Sequence, residues 1–359
     1  MSSTSRANHR RVQPDATASQ TDDPRAVGLP ADAPDGDNPG PADPARAGLP
    51  DPPDVASALA TAALLALNAP SVHNTQPWHW RVGTEAIELR TDERWRLSTA
   101  DPDQRLLVLS CGAALHQVRV ALRAAGYLPA VHRLPEQGRT DLLARVAVDR
   151  SIPVTPNAVA LMRAALARHT DRRGFADIPV PASAVAAARE AAGAEGAWLH
   201  LLDEDQTTSV IAVIRNAEAV EAADSGHRAE QAAWGADSEF AGTPVIPPRG
   251  GADLERTGRY AVLYGSGDRL AAWLRAGEAL SAVWLTAITH GLSVRPLSAA
   301  VEIPAGRAVL HRLLAGMGCP YLVLQLGVPY PTEELPRTPR RPAAESVQPA
   351  PDTTGSATS

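Results

Sequence analysis

The chain has no lysine: all 34 of its basic residues are arginine. Any anion site must therefore be built from guanidinium groups, which are planar and can grip a phosphate or carboxylate through paired hydrogen bonds. Cysteine is nearly absent too. The two present, Cys111 and Cys319, provide neither a disulfide framework nor zinc-ligand spacing, and they suit a reducing, cytoplasmic setting. No apolar run reaches membrane-spanning length. The longest candidate, Leu270 to Leu292, is interrupted by Arg275, Glu278 and His290 and reads as a core helix. The amino terminus carries Arg6, Arg10 and Arg11 with no apolar stretch behind them, unlike a secretory signal. A net charge of −6 leaves no electrostatic footprint for nucleic acid or an anionic membrane. The ten histidines form no His-Glu-x-x-His metal pair, and no Gly-x-Ser-x-Gly nucleophile elbow occurs.

What is present divides into tails and a folded body. Residues 1–53 are dominated by Pro, Asp, Ala, Gly and Ser, which cannot bury enough apolar area to offset the entropy of ordering them, so this stretch reads as disordered. Residues 343–359 read the same way. Between them helical and strand patterns alternate. Asp54 caps a helix running to about Asn68, and strands around His79–Val82 and Ala86–Arg90 flank a Gly83-Thr84 turn. Long helices are expected over 104–126, 204–223 and 269–290, with shorter ones over 157–168, 182–192 and after Pro304. Further strands are expected over 130–134, 142–148, 197–202, 260–264, 292–295 and 321–328. The Gly/Pro-rich run from Ser225 to Glu255 reads as partly loop. This mixture is an α+β pattern.

One internal repeat stands out. Gly112, Ala114, Leu115, Val118 and Gly126 recur at identical spacing as Gly277, Ala279, Leu280, Val283 and Gly291. Each set lies on a predicted long helix that ends at its last glycine, which suits a left-handed C-terminal cap. A duplicated chain would imitate a homodimer, with halves at 54–150 and 151–342, and would be complete as a monomer.

Three segments carry chemistry. Pro70-Ser71-Val72-His73-Asn74-Thr75-Gln76-Pro77-Trp78 sets a hydroxyl, two amides and an imidazole in a loop stiffened by prolines, able to satisfy a planar heteroaromatic ring. Arg168-His169-Thr170-Asp171-Arg172-Arg173-Gly174-Phe175 concentrates positive charge at a helix end, where it suits either a phosphate or a solvated helix terminus. Arg337-Thr338-Pro339-Arg340-Arg341-Pro342 interleaves arginine and proline after the last strand. Taken singly, each reads more readily as an ordinary polar loop, a solvated basic helix end or a disordered basic tail.

Together they resemble the nitroreductase-like FMN flavoproteins, specifically the duplicated, single-chain actinobacterial group named as NAD(P)H nitroreductases. The resemblance runs through Pro70–Trp78, Arg168–Phe175, Gly277–Ser281, Gly291-Leu292 and Arg337–Pro342, covering nearly all of the folded body. It implies a single-chain pseudo-dimer with one complete FMN site and one degenerate counterpart. It also implies NAD(P)H as electron donor and a small-molecule acceptor such as a nitroaromatic or quinone. By the same resemblance Arg168 and Thr170 would meet the phosphate tail or ring edge, with His169 beside them. Arg172 would face the pyrimidine end of the ring. Pro70, Ser71 and Asn74 would meet the ring and ribityl hydroxyls, with Gln76 supporting the loop. Pro296, Leu297 and Ser298 would lie along the ring, and Arg340 and Arg341 would complete the phosphate site. The flavin carries the chemistry, so no catalytic side chain is expected. The Ser225–Glu255 run, with Trp234 and Phe240, is a candidate lid, and a closed lid would favour a flavin-sequestering protein over rapid turnover. Gly265-Ser266-Gly267 lacks the third small residue of a dinucleotide loop and reads as a strand-to-helix turn capped by Ser266 or Asp268, and Cys111 reads as a buried, inert thiol.

Overall fold

The computed structural model describes residues 53–170, 174–237, 257–330 and 338–350. Most of the 1–53 tail, Arg172 and residues 238–255 of the expected lid lie outside them.

The described chain builds two sheets with the same strand order. In the first half, helix α1 (Val55–Ala66) is followed by strands β1 (Trp78–Val82) and β2 (Ala86–Thr91), helix α2 (Arg105–Ala124), and strands β3 (Tyr127–Arg133) and β4 (Leu142–Ser151). The helix α3 (Pro156–Ala167) then leads to α4 (Ala182–Ala194), β5 (Trp198–Leu201), α5 (Glu204–Ala223) and α6 (Ser225–Asp237). The second half continues with β6 (Arg259–Gly265), α7 (Leu270–Thr289), β7 (Ser293–Leu297), α8 (Ala299–Glu302), α9 (Pro304–Leu313) and β8 (Cys319–Gly327). A short α10 (Ala343–Ser346) and β9 (Val347–Pro349) end the described chain. The first sheet runs β3-β4-β2-β1-β9 and the second β7-β8-β6-β5. Pairing β1 with β5, β2 with β6, β3 with β7 and β4 with β8 superposes the two orders. The internal duplication is thus visible in topology as well as in sequence.

Local chemistry explains the elements. Asp54 accepts the Ser57 amide at 2.9 Å and starts the alanine-rich α1. β1 buries Trp78 and Trp80 on one face and pairs antiparallel with β2, Trp80 opposite Leu89. α2 and α7 are each 20 residues long, and the glycines that follow them, Gly126 and Gly291, have φ of 85° and 74°, the left-handed cap expected from the sequence. By length and composition α2 passes as a membrane span, yet 89% of that window is buried inside the protein. It is a core helix.

The two long helices cross at the repeated glycines. A Cβ on Gly277 would lie 1.8 Å from the Leu109 carbonyl and 2.8 Å from Gly112 Cα, so only glycine permits this approach. One turn on, His116 Nδ1 and Ser281 Oγ stand 3.0 Å apart, separated in sequence by 165 residues, the same offset that relates Gly112 to Gly277. Equivalent positions that touch each other lie on a two-fold axis. The pseudo-axis therefore runs between α2 and α7.

The halves differ in their connections. A tight turn joins β1 to β2, whereas α5 and α6 stand between β5 and β6, and α8 and α9 stand between β7 and β8. Three expectations are corrected. Residues 343–350, expected in a disordered tail, form α10 and β9, because Val347–Pro349 find the open edge of β1 and pair with Trp80–Val82 in parallel. Ser225–Asp237, expected as partly loop, is helical, fastened by Glu230, whose carboxylate accepts the Thr99 and Ala100 amides at 2.9 and 3.0 Å. Asp268 does not cap α7. Its carboxylate is taken by Trp273 Nε1 at 2.7 Å and Arg105 at 3.0 Å, and Arg269 occupies the cap position without a side-chain bond.

Candidate functional site

The loop after α1 is held in an unusual backbone conformation. His73, Asn74 and Gln76 have φ of 44°, 60° and 51°. Left-handed geometry is uncommon outside glycine and costs on the order of 1–3 kcal/mol per residue, so three such residues within four positions must be over-determined by their surroundings. They are. Ser71 Oγ accepts the Gln76 amide at 2.9 Å, and the Val72 amide donates to Ser110 Oγ on α2 at 3.1 Å. Gln76 is 1% exposed; its Nε2 donates to the Asn74 carbonyl at 3.3 Å and its Oε1 accepts the Arg341 amide at 3.0 Å.

Two arginines from distant segments converge on the base of this loop. Arg168, at the end of α3, donates through Nη2 to the Asn68 carbonyl at 2.9 Å and lies over the Trp284 ring at 4.8 Å. Arg340 donates through Nε to the Leu67 carbonyl at 3.0 Å and through Nη2 to the same Asn68 carbonyl at 3.4 Å. Its Nη1 reaches Asn74 Oδ1 at 3.5 Å, while Asn74 Nδ2 donates to the Pro339 carbonyl at 3.2 Å. Among the described residues no carboxylate pairs with either guanidinium, and Arg168 Nε has no hydrogen-bond partner. Burial, reinforced by the nearby Arg340 charge, pushes the Arg168 pKa down to about 9, and burial also lowers that of Arg340. Arg168 is buried and Arg340 half-buried, and two like charges so placed with no counter-ion among the described residues are costly unless an anion joins them.

Arg341 behaves differently. Its guanidinium donates to the Gln76 carbonyl at 2.9 Å, meets Asp92 at 3.3 Å and lies 4.1 Å over the Trp95 ring, so it braces the loop from behind instead of joining the pair. Pro70 and Ser71 are half-buried at the loop's start. His169 is exposed, its Nδ1 3.2 Å from the Ala167 carbonyl, and Thr170 is half-buried. Arg172 is outside the described residues. Pro296 and Leu297 close β7, and Ser298 opens α8; one turn further, Glu302 Oε1 stands 3.9 Å from His73 Nε2 of the loop.

The pseudo-symmetric position is filled by the protein itself. The offset that pairs His116 with Ser281 pairs Arg119 with Trp284, the residue under Arg168. Arg119 is bound to Glu195 in the short α4–β5 connection at 2.6 Å and to Glu278 at 2.8 Å, and Arg133 adds two bonds to Glu278 at 2.7 and 2.8 Å. Burial raises the Glu195 pKa, but the Arg119 bond and charge outweigh it and the carboxyl titrates below its usual range. Where one half presents two guanidiniums with no carboxylate partner among the described residues, the other presents a closed ion-pair cluster.

Several contributors escape sequence reading. Asn68 and Leu67 act through carbonyls, and Ser110 and Trp284 sit inside helices among apolar neighbours, with no local signal. Glu221, His227 and Glu302 come together from α5, α6 and α8 with no motif spacing. Cys111 is buried and its thiol is pushed far up by burial, as expected of an inert core cysteine.

No family model matches the chain. A curated protein of Mycobacterium tuberculosis (strain ATCC 25618 / H37Rv), "Putative NAD(P)H nitroreductase Rv3131", is 35% identical over 326 residues, spanning 82% of this chain and 92% of the relative. The same organism's "Putative NAD(P)H nitroreductase acg" is 30% identical over 321 residues, spanning 83% and 97%. Solved structures with similarity include a nitroreductase with bound FMN from Bacteroides fragilis NCTC 9343 (14% identity, TM-score 0.37, 51% of this chain and 96% of that one). Another is a BluB-like flavoprotein from Clostridium difficile 630 (16% identity, TM-score 0.38, 52% and 96%). On the sequence relatives, the chain belongs to the nitroreductase-like family, in its single-chain, internally duplicated actinobacterial group.

Proposed function

We propose that the chain holds one FMN beside the Pro70–Gln76 loop and serves as an NAD(P)H-dependent oxidoreductase that passes electrons to a small nitroaromatic or quinone-type acceptor. The observation that carries this reading is the pair of Arg168, buried, and Arg340, half-buried, which meet on the Asn68 carbonyl with no acidic partner among the described residues. Such a pair fits a phosphate dianion, which would neutralise both guanidiniums and take up the open Arg168 Nε. Ser71, Asn74 and the strained backbone of 73–76 would supply donors and acceptors to the polar edge and ribityl chain, and Pro296–Ser298 would lie along the ring. Arg172 would stabilise negative charge at the pyrimidine end. Bound FMN supplies hydride acceptance from nicotinamide and one- or two-electron delivery to the acceptor. The residues bind, orient and exclude water, and the closed Arg119–Glu195–Glu278–Arg133 cluster supports a single flavin per chain. A cytoplasmic location suits a reduced nicotinamide donor.

A second reading has its own support. Glu230 fastens α6 to residues 99–100 of the first half, and a helix so tied would slow access to the flavin, favouring a protein that keeps FMN with little turnover. The visible spectrum of the purified protein, recorded before and after anaerobic NADPH and NADH, separates them. Prompt bleaching of a flavin spectrum is expected for the oxidoreductase. A flavin spectrum that bleaches only with dithionite moves the assignment to sequestration, and protein that cannot be loaded with FMN refutes both.

A further inference from the structure

Beside the loop lies a cluster that flavin binding does not use. Glu221 near the end of α5, His227 in the first turn of α6 and Glu302 at the end of α8 offer one donor atom each, all within 4.8 Å of one another. We propose that Glu221, His227 and Glu302 form a site for a first-row transition-metal dication, with His73 placed to join as a fourth ligand.

Glu302 carries the argument. Its side chain is 4% exposed and its carboxyl is hydrogen-bonded to that of Glu221, while no nitrogen or hydroxyl among the described residues donates to its Oε2, so an acidic group is buried facing the cluster. Glu221 is also mostly buried, and no nitrogen or hydroxyl among the described residues donates to its Oε1. Among the described residues, the nitrogens that come within 4.0 Å of these carboxylates are histidine rings, His227 Nε2 at 4.0 Å from Glu221 and His73 Nε2 at 3.9 Å from Glu302. The Arg307 guanidinium nearby donates to the Val301 and Glu302 main-chain carbonyls at 2.7 and 3.1 Å, not to the carboxylates. Without an ion the two hydrogen-bonded carboxyls must share a proton; a dication would displace it and neutralise both carboxylates at one point.

The donor set selects the metal. Mixed imidazole and carboxylate ligands suit zinc, manganese or iron over calcium or magnesium, which prefer oxygen alone. Tetrahedral ligands at metal–ligand bonds of about 2.0–2.2 Å stand roughly 3.3–3.6 Å apart. Donor atoms as much as 4.8 Å apart must therefore close by up to about 1.5 Å, within reach of side-chain rotation. The ligands come from three helices, and His73 would add the Pro70–Gln76 loop. A bound ion would thus tie α6 to α5 and α8.

Zinc binding to the full-length protein, stripped by chelation and then measured by equilibrium dialysis with elemental analysis, tests the site. We expect one zinc per chain, with affinity weakened at least tenfold in Glu302→Gln and in Glu221→Gln, both of which preserve side-chain volume. Circular dichroism identifies which variants are folded, and either folded variant suffices for the decision. Less than a tenth of an equivalent of zinc on the wild-type chain, or wild-type affinity in a folded variant, would overturn the proposal.

Discussion

Glu278 is wholly buried on α7 and is held by three hydrogen bonds from Arg119 and Arg133. Removing its charge leaves two arginines sharing Glu195 alone. Breaking a buried ion pair on one side typically costs about 3–5 kcal/mol, so Glu278→Gln is expected to lower unfolding stability by about 3 kcal/mol in chemical denaturation. Glu136→Gln is the control. Its partner Arg139 and it are both nearly half exposed, and such a solvent-screened pair contributes little to stability. Equal losses in the two variants would contradict the account. His116, stacked in the same cluster, gives a pH signature. Burial holds its imidazole down at about 4, with Glu195 pulling the other way, whereas an unfolded histidine titrates near 6.5. Between those values the unfolded chain binds a proton that the folded chain refuses. Stability present in full above pH 6.5 is therefore lost as pH falls towards 4, by about 3 kcal/mol from this residue. Urea midpoints at pH 7, 5.5 and 4.5 should fall less steeply for His116→Gln than for the wild type; parallel curves would rule the assignment out.

At the scale of elements, the crossing of α2 and α7 decides the architecture. Alanine is a better helix former than glycine by about 1 kcal/mol, yet a Cβ at Gly277 would overlap the Leu109 carbonyl at 1.8 Å, a backbone atom that cannot rotate away. Gly277→Ala is thus expected to destabilise the protein by about 3 kcal/mol or more, since overpacking against fixed atoms lies at or above the top of its usual range. A stabilised variant by thermal unfolding would disprove the close crossing. This element was legible in the sequence because five identities at one spacing survive on both helices, and so were the left-handed caps at Gly126 and Gly291. The strands were legible from alternation, within a few residues of their ends. What escaped depends on partners far along the chain. β9 reads as a polar tail until the edge of β1 is there to receive it. α6 has little apolar periodicity and is fastened through Glu230 to amides more than a hundred residues away. The Arg168 motif was readable, but that Arg340 joins it while Arg341 turns to Asp92 and Trp95 follows from the path of the chain past the loop, which no spacing encodes.

For the whole molecule, duplication without symmetry has a countable consequence. A homodimer of one such half would present two equivalent sites across its axis. Here the axis survives between α2 and α7, but the loop between α1 and β1 has no counterpart of similar length between α4 and β5, and Arg119 stands where Trp284 stands in the other half. Among the described residues, the guanidiniums without a carboxylate partner are thus confined to one side. Titration of flavin-free protein with FMN is expected to saturate at one equivalent per 37.7 kDa chain, with the protein monomeric in sedimentation. The double variant Arg168→Ala, Arg340→Ala is expected to bind FMN at least a hundredfold more weakly. Loss of two charge-assisted phosphate contacts, each about 1.5–3 kcal/mol, corresponds to that factor or more. Opening the other side gives the sharper control: Arg119→Ala breaks the ion-pair cluster and lowers stability, yet should leave both the stoichiometry and the FMN affinity in place. Two equivalents on the wild type, or a fall in affinity for Arg119→Ala comparable with that of the double variant, would mean that the second half has kept a working site and that the asymmetry between Arg119 and Trp284 does not set the flavin count.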